Sequence, residues 1–405
     1  MPAQGDTMGI HLAHRMDILK ASDVRELLKV TQRPEVISFA GGLPAPEFFP
    51  GERLAGIARE ILATDGARAL QYSTTEGHAP LRRQIASRLN ALSDTRYTAD
   101  NILITAGSQQ GLDLTGKLFL DEGDEVLCES PTYLSVIGAW NVFRPTWVEV
   151  PTDDDGMDMA ALEEKLDRCR RPKLVYVVPN FQNPSGRTWS LERRRRLMEA
   201  TGRRGIPVVE DNPYGELRFE GQALPSLKAF DARGLVISLG TFSKIFCPGL
   251  RLAWLAAEQP LYEKFVILKQ GTDLHTATLS QMMVSRYMER YDLDEDVRRI
   301  TEAYRIRRNA MLAALDKELP EDVRVTRPAG GLFLWAELPP GVNARDLLGR
   351  CVARDVAFVP GEAFFPNGGH ENTLRLNFSN MPPDRIAEGV RRIAEALAEM
   401  RVEAA

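Results

Sequence analysis

The sequence predicts an α/β protein built in two parts. Short apolar runs at 101–107, 125–128, 173–178, 206–211 and 235–239 each lead into a polar or Gly/Pro-rich loop and then into helical apolar spacing, the alternation of a parallel sheet covered by helices. Residues able to do chemistry collect just past the carboxyl ends of these runs, the edge where such sheets bind ligands. At 405 residues the chain exceeds the size at which one core usually stops growing, and its 44% hydrophobic content can fill two.

Taken in order, residues 12–31 carry Ile18, Val24, Leu27, Leu28 and Val30 on an imperfect apolar face bounded by Pro34, which predicts a helix containing Arg25. A short strand at 36–39 precedes Gly41-Gly42-Leu43-Pro44, either a rigid connector or a loop over a pocket. A helix at about 52–62 leads to Gln71-Tyr-Ser-Thr-Thr-Glu-Gly77, where Tyr72 by itself reads as a surface aromatic as readily as a ligand contact. After a helix at 81–89 and a strand at 101–107, Ser108 and Gln109 open a helix whose free N–H groups suit a phosphate, although Ser is also an ordinary N-cap.

The strand at 125–128 is followed by Tyr133, placed either to pack under the next helix or to offer its ring to a planar ligand. Val142, Trp147, Val148 and Val150 favour a strand, and Asp153, Asp154 and Asp155 form a solvated turn without calcium-loop spacing. A helix at 159–168 and a strand at 173–178 lead to Pro179-Asn-Phe-Gln-Asn-Pro-Ser-Gly186, a constrained exit loop from which the Asn183 amide can donate to an oxygen ligand.

In the helix at 190–202 the run Arg193 to Arg196 reads as solvated surface. The strand at 206–211 ends at Asp211, a costly residue to bury without a partner, and Tyr214 follows three positions later. The strand at 235–239 runs into Gly-Thr-Phe-Ser-Lys-Ile-Phe-Cys-Pro-Gly-Leu-Arg251, with Lys244 as the candidate reactive group. Residues 260–291 read as mainly helical, then come a long helix at 295–319, apolar runs at 331–338 and 357–360, and a closing helix at 383–400. Alternation at 372–378 sends Leu374 and Leu376 to one face and Arg375 to the other, where Arg375 is equally a surface partner or a substrate clamp.

Lys plus Arg number 51 against 56 Asp plus Glu, a net charge of −5, so no global field favours nucleic acid or an anionic membrane. Cys128, Cys169, Cys247 and Cys351 are scattered without a C-x-x-C pair, which argues against zinc and disulfides; no metal is expected, and a cytoplasmic setting fits. No apolar run approaches the 18 residues of a membrane span, and none resembles a signal peptide core.

The ordered set Gln71 to Gly77, Asn183-Pro-Ser-Gly186, Asp211-Asn-Pro-Tyr214, Ser243-Lys244 and Arg251 resembles the fold type I pyridoxal-phosphate aminotransferases, particularly the 2-aminoadipate and kynurenine aminotransferase branch, over nearly the whole chain. The resemblance implies a large domain at 51–290 with a mostly parallel seven-stranded sheet flanked by helices, a smaller α+β domain at 291–405, and an arm at 1–50 that covers the substrate and associates with the small domain.

It further implies a catalytic set of Lys244, Asp211 and Tyr214. Lys244 would bond pyridoxal 5′-phosphate and move protons at the substrate α-carbon, with pyridoxamine 5′-phosphate as the intermediate form. Asp211 would face the pyridine nitrogen, Asn183 and Tyr214 the phenolate oxygen, and Tyr133 the ring. Ser108, the backbone beside Gln109, Ser243 and Arg251 would hold the phosphate, completed by Tyr72 from the other subunit of a homodimer with shared active sites. Arg375, with Asn183, would fix the substrate α-carboxylate by a bidentate contact, while Arg25 and Gly41 would lie over the substrate side chain.

Ser185 stands where the family commonly has threonine, Cys247 at a usually serine-like position and His78 where a larger aromatic is common. The expected reaction moves the amino group of an L-amino acid (2-aminoadipate, glutamate, branched or aromatic) to a 2-oxo acid such as 2-oxoglutarate. Racemisation or β-elimination on the same site is the alternative, and a cofactor-sensing regulator a remote one, since no DNA-binding module precedes the large domain.

Overall fold

The computed structural model describes residues 6–7, 10–17, 19 and 33–404. Its strands are β1 (Asp6–Thr7), β2 (Ile10–His11), β3 (Ile37–Ser38), β4 (Ile102–Thr105), β5 (Glu125–Ser130), β6 (Thr146–Asp153), β7 (Gly156–Met157), β8 (Pro172–Val177), β9 (Val208–Asp211), β10 (Val236–Thr241), β11 (Ala253–Ala256), β12 (Arg324–Val325), β13 (Phe333–Glu337), β14 (Val356–Ala357), β15 (Val359–Pro360) and β16 (Thr373–Asn377). The larger sheet has the order β4-β11-β10-β9-β8-β5-β6-β7. Strands β10, β9, β8, β5 and β6 pair in parallel; β11 is antiparallel to both its neighbours. The expected seven strands are joined by β7, a two-residue antiparallel return on β6.

The central strands are apolar on both faces because both are covered. Along β8, Leu174 and Tyr176 enter one core cluster, while Val175 and Val177 enter the other. Helices α1 (Gly51–Thr64), α2 (Gly66–Ala69), α3 (Ala79–Ser93), α4 (Ser108–Phe119), α5 (Leu134–Trp140), α6 (Met159–Arg168), α7 (Leu191–Arg204), α8 (Leu261–Asp273) and α9 (Thr278–Arg290) belong to this half of the chain.

The second sheet, β12-β13-β16-β15, is antiparallel. It is accompanied by α10 (Leu293–Glu318), α11 (Ala344–Val352) and α12 (Pro383–Ala404), with α10 packed along α12. Residues 37–39 lie against this part: β3 pairs in parallel with β14, and Asn377 N donates to Phe39 O.

Several expectations change. Of the helix expected at 12–31, most lies outside the described residues, and His14–Asp17 forms a 3₁₀ turn. Val142 sits in a 3₁₀ turn after α5, and the strand begins only at Thr146, because Asn141 caps that helix and Arg144 takes a left-handed φ of 55° before the chain reverses. Strand β11 had no sequence expectation: its four residues, Ala-Trp-Leu-Ala, are too few and too evenly apolar to show a period. The reading of Arg193 to Arg196 as solvated also fails at Arg194, which is fully buried. Its guanidinium donates to Pro179 O, Pro225 O, Trp189 O and Asn180 Oδ1, so the charge is enclosed by oxygens rather than by water.

Candidate active site

The site forms where β4, β9 and β10 end. After β4 the chain turns through Gly107 at φ +88°, and α4 begins at Ser108, exposing the first N–H groups of that helix. Arg251 closes this turn from the far side. A Cβ on Gly107 would lie 2.3 Å from Arg251 Nη2, so glycine is required by both the backbone and the arginine. Arg251 itself adopts φ +52° after the 3₁₀ turn Pro248–Leu250, a conformation that costs a branched or bulky side chain about 1–2 kcal/mol and is characteristic of functional loops.

Asp211 ends β9 almost fully buried. Its Oδ2 accepts from Tyr176 Oη at 2.7 Å, whereas Oδ1 has no hydrogen-bond partner among the described residues. Burial pushes its pKa up to about 6, opposed by the Tyr176 bond. From the loop after β8, Asn183 Nδ2 donates to Tyr214 Oη at 3.3 Å. Burial raises the Tyr214 phenol above its usual range, so it stays a donor.

That loop is itself held from below. Gln182 Nε2 donates to Pro131 O, and its Oε1 accepts from Ser185 N and Ser185 Oγ, so the Ser185 hydroxyl is tied within the loop. Glu129 accepts from Val178 N and Trp189 Nε1, each at 2.8 Å. The buried Arg194 reaches Asn180, whose Nδ2 donates to Asn212 Oδ1 and ties this loop to the one following β9.

Lys244 follows β10, and its Nζ donates to Gly42 O at 2.7 Å. Burial, then the positive charges of Arg375 and Arg251, lower its pKa to about 8. A second backbone carbonyl of the same stretch is also met: Arg375 Nη2 donates to Ala40 O, and Gly41 lies buried between these two contacts. Arg375 Nη1 donates to Asn183 Oδ1 at 2.8 Å. The arginine is 3% exposed, with its guanidinium carbon 4.2 Å from the ring centre of Phe333 and 5.1 Å from that of Phe364. Burial lowers its pKa to about 10, which leaves it charged at neutral pH.

Ser108, Gln109, Tyr133, Asn183, Asp211, Tyr214, Ser243, Lys244 and Arg251 all line one cavity of about 190 Å³, and Arg375 adjoins it through Asn183. Tyr72 is not brought there: it is 79% exposed and meets the ring of His275 edge-on at 5.9 Å. Arg25 lies outside the described residues. Sequence reasoning did not single out Tyr176, Phe333, Phe364, Arg194 or Gln182. For Tyr176 a signal existed, since a phenol in an otherwise aliphatic buried strand must find a polar partner.

A lysine, an unpaired carboxylate oxygen, a helix N-terminus with an arginine, and a buried arginine beside them thus converge on one cavity. The family model for aminotransferase class I and II matches residues 49–393. The chain belongs to the class I and II aminotransferases. Within the family it is 46% identical over 385 residues to aromatic-amino-acid aminotransferase 1 of Thermococcus litoralis, covering 94% of this chain and 92% of that one. To the 2-aminoadipate transaminase of Thermus thermophilus it is 48% identical over 382 residues, covering 94% of each. The crystal structure of an α-aminoadipate aminotransferase from Thermus thermophilus, complexed with N-(5′-phosphopyridoxyl)-L-leucine, superposes with a TM-score of 0.91 at 45% identity, covering 96% of this chain and 98% of that chain. No described helix is long and apolar enough to cross a membrane.

Proposed function

We propose that this aminotransferase uses pyridoxal 5′-phosphate to move the amino group of an L-amino acid, among them 2-aminoadipate, glutamate, branched and aromatic ones, to a 2-oxo acid such as 2-oxoglutarate. The observation that carries the proposal is the convergence of Lys244, Asp211, Tyr214 and Arg251 on one cavity, with Arg375 beside it. The residues present fit the cofactor. Asp211 Oδ1 lacks the partner that a protonated ring nitrogen would supply, and the α4 N-terminus with Arg251 is an anion cradle that any Cβ at Gly107 would fill.

Bound there, pyridoxal 5′-phosphate would supply the carbonyl that takes up the amino group and the ring that accepts electrons from the substrate α-carbon, alternating with its pyridoxamine form. Lys244 Nζ, with its lowered pKa, would be the group that bonds the cofactor and carries a proton to and from the substrate α-carbon. Asp211 would hold the proton on the ring nitrogen, Asn183 and Tyr214 would donate to the ring oxygen, and Tyr133 would lie against the ring face. Ser108, the backbone at Gln109, Ser243 and Arg251 would bind the phosphate. Arg375 would exchange Ala40 O for the substrate carboxylate and orient the α-carbon. Arg25 and Gly41 would act on the substrate side chain, Arg25 pairing with a distal carboxylate.

The high exposure of Tyr72 supports its delivery to a second subunit's phosphate site, and so a homodimer with shared sites. A cytoplasmic setting accords with the scattered cysteines. The 46% and 48% identities to transaminases support amino transfer over racemisation, β-elimination or cofactor sensing.

The test is a steady-state panel of acidic, branched and aromatic donors with 2-oxoglutarate and a second oxo acid, comparing kcat/KM. Glutamate should appear from 2-oxoglutarate; absence of amino transfer across the whole panel would sink the proposal.

A further inference from the structure

Among the described residues no cation pairs with the carboxylate of Asp211. Tyr176 is the residue that touches it, and its position follows from the sheet. In the parallel pair β8 and β9, Tyr176 stands opposite Val209, two residues short of Asp211 on the same face, so a long side chain ending in a donor is needed to reach the carboxylate. The phenol does so at 2.7 Å, to Oδ2.

The ring has little freedom. It stands edge-on to Trp140, with centres 5.6 Å apart and planes at 82°. Trp140 is in turn fixed by its Nε1 donating to Leu112 O at 2.8 Å and by stacking on Trp147. Both Tyr176 and Trp140 are fully buried. Burial and the nearby Asp211 charge push the phenol's pKa far up, so it donates at every working pH.

We propose that Tyr176 is the positioning residue for Asp211: by occupying Oδ2 it leaves Oδ1 alone for the cofactor's ring nitrogen and keeps the carboxylate ionised, so that the nitrogen retains its proton. This rests on the cofactor assignment above. Two influences act on the carboxylate: burial, which favours the neutral acid, and the Tyr176 bond, which opposes it. Lys244, Arg251, Tyr133 and Tyr214 share the cavity with Asp211, and Glu129 acts on the phenol from behind. None of these is hydrogen-bonded to Asp211, whose Oδ1 is unpaired. Without the phenol, both carboxylate oxygens would be buried and unsatisfied, and the neutral acid would gain. A ring nitrogen with a weaker hold on its proton withdraws fewer electrons, so the effect belongs in kcat rather than in substrate binding, which is the task of Arg375.

The test is Tyr176→Phe, which keeps the ring and removes the donor. In the holoenzyme loaded with ring-15N cofactor, the nitrogen resonance should move from the pyridinium toward the unprotonated position. The value of kcat should fall roughly tenfold, with KM for the amino donor changed less than about twofold. In the apo chain the 13C-carboxyl titration of Asp211, assigned with Asp211→Asn, should shift upward by about one pH unit. A merely structural role would change melting temperature but leave both resonances where they are in the wild type, and that result would overturn the proposal.

If the phenylalanine variant does not fold, 3,5-difluorotyrosine at position 176, a stronger donor, should lower the Asp211 midpoint; an unchanged midpoint overturns the proposal equally. Failure of wild-type protein to bind the cofactor would count against the cofactor assignment instead, and the apo titration would still decide the role of Tyr176.

Discussion

At Lys244 a single buried amine sits close to two arginines and bonded to one backbone carbonyl. Its pKa of about 8 is low because burial and the Arg375 and Arg251 charges all oppose the ammonium form. Only the neutral amine attacks a carbonyl. The rate at which the apo chain takes up pyridoxal 5′-phosphate, followed by visible absorbance, should therefore rise with pH and level off above about 8. Lys244→Ala should lose that absorbance altogether. A rate independent of pH between about 7 and 9 would contradict the assignment.

At the scale of elements, the loop between β8 and α7 presents Asn183 because buried polar groups hold it from behind. Burial raises the Glu129 carboxyl to about 7, against the pull of its bonds from Val178 N and Trp189 Nε1. The folded chain therefore binds a proton there more tightly than the unfolded chain, whose carboxyl has its ordinary value of 4.5. This group makes stability fall as pH rises between those two values. Glu129→Gln should flatten that slope in urea-melt midpoints. It should also lower stability by about 1–3 kcal/mol, since both neighbours are donors and the amide must turn its own N–H₂ toward one of them. A variant as stable as the wild type with an unchanged slope would rule out this role for Glu129.

The reach of the sequence differed between elements for physical reasons. Strands β5, β8 and β9 were legible because they combine apolar runs with abrupt turn residues; α6 spans the expected 159–168, and the structure shows Asp158 capping it by accepting from Ala160 N and Ala161 N. Strand β11 was not, because its signal is too short. Arg194 sits in a run of four arginines that looks solvated; its burial depends on carbonyls contributed by Pro179, Trp189 and Pro225, which only folding brings together.

At the scale of the whole molecule, Leu70, Tyr72 and Leu274 are exposed around the Tyr72 and His275 contact. If Tyr72 serves a partner's site, mixing Lys244→Ala and Tyr72→Ala proteins after mild dissociation should regain transaminase activity that neither has alone, because one site of each hybrid is intact. Mixtures no more active than their components would show that the sites are not shared.

By itself the sequence determined most of the strand and helix alternation, the residues at the main strand ends and the family resemblance, because periodicity, turn chemistry and spaced motifs are local properties. Only the tertiary structure decided which polar residues lie buried and against what. Arg375 alternates with Leu374 and Leu376 whether the opposite face of β16 is open or closed; it becomes a buried, poised cation because Ala40, Asn183, Phe333 and Phe364 close over it from distant parts of the chain. Tyr176 meets Asp211 for the same reason: the register of two parallel strands is set by long-range packing, which no local window contains.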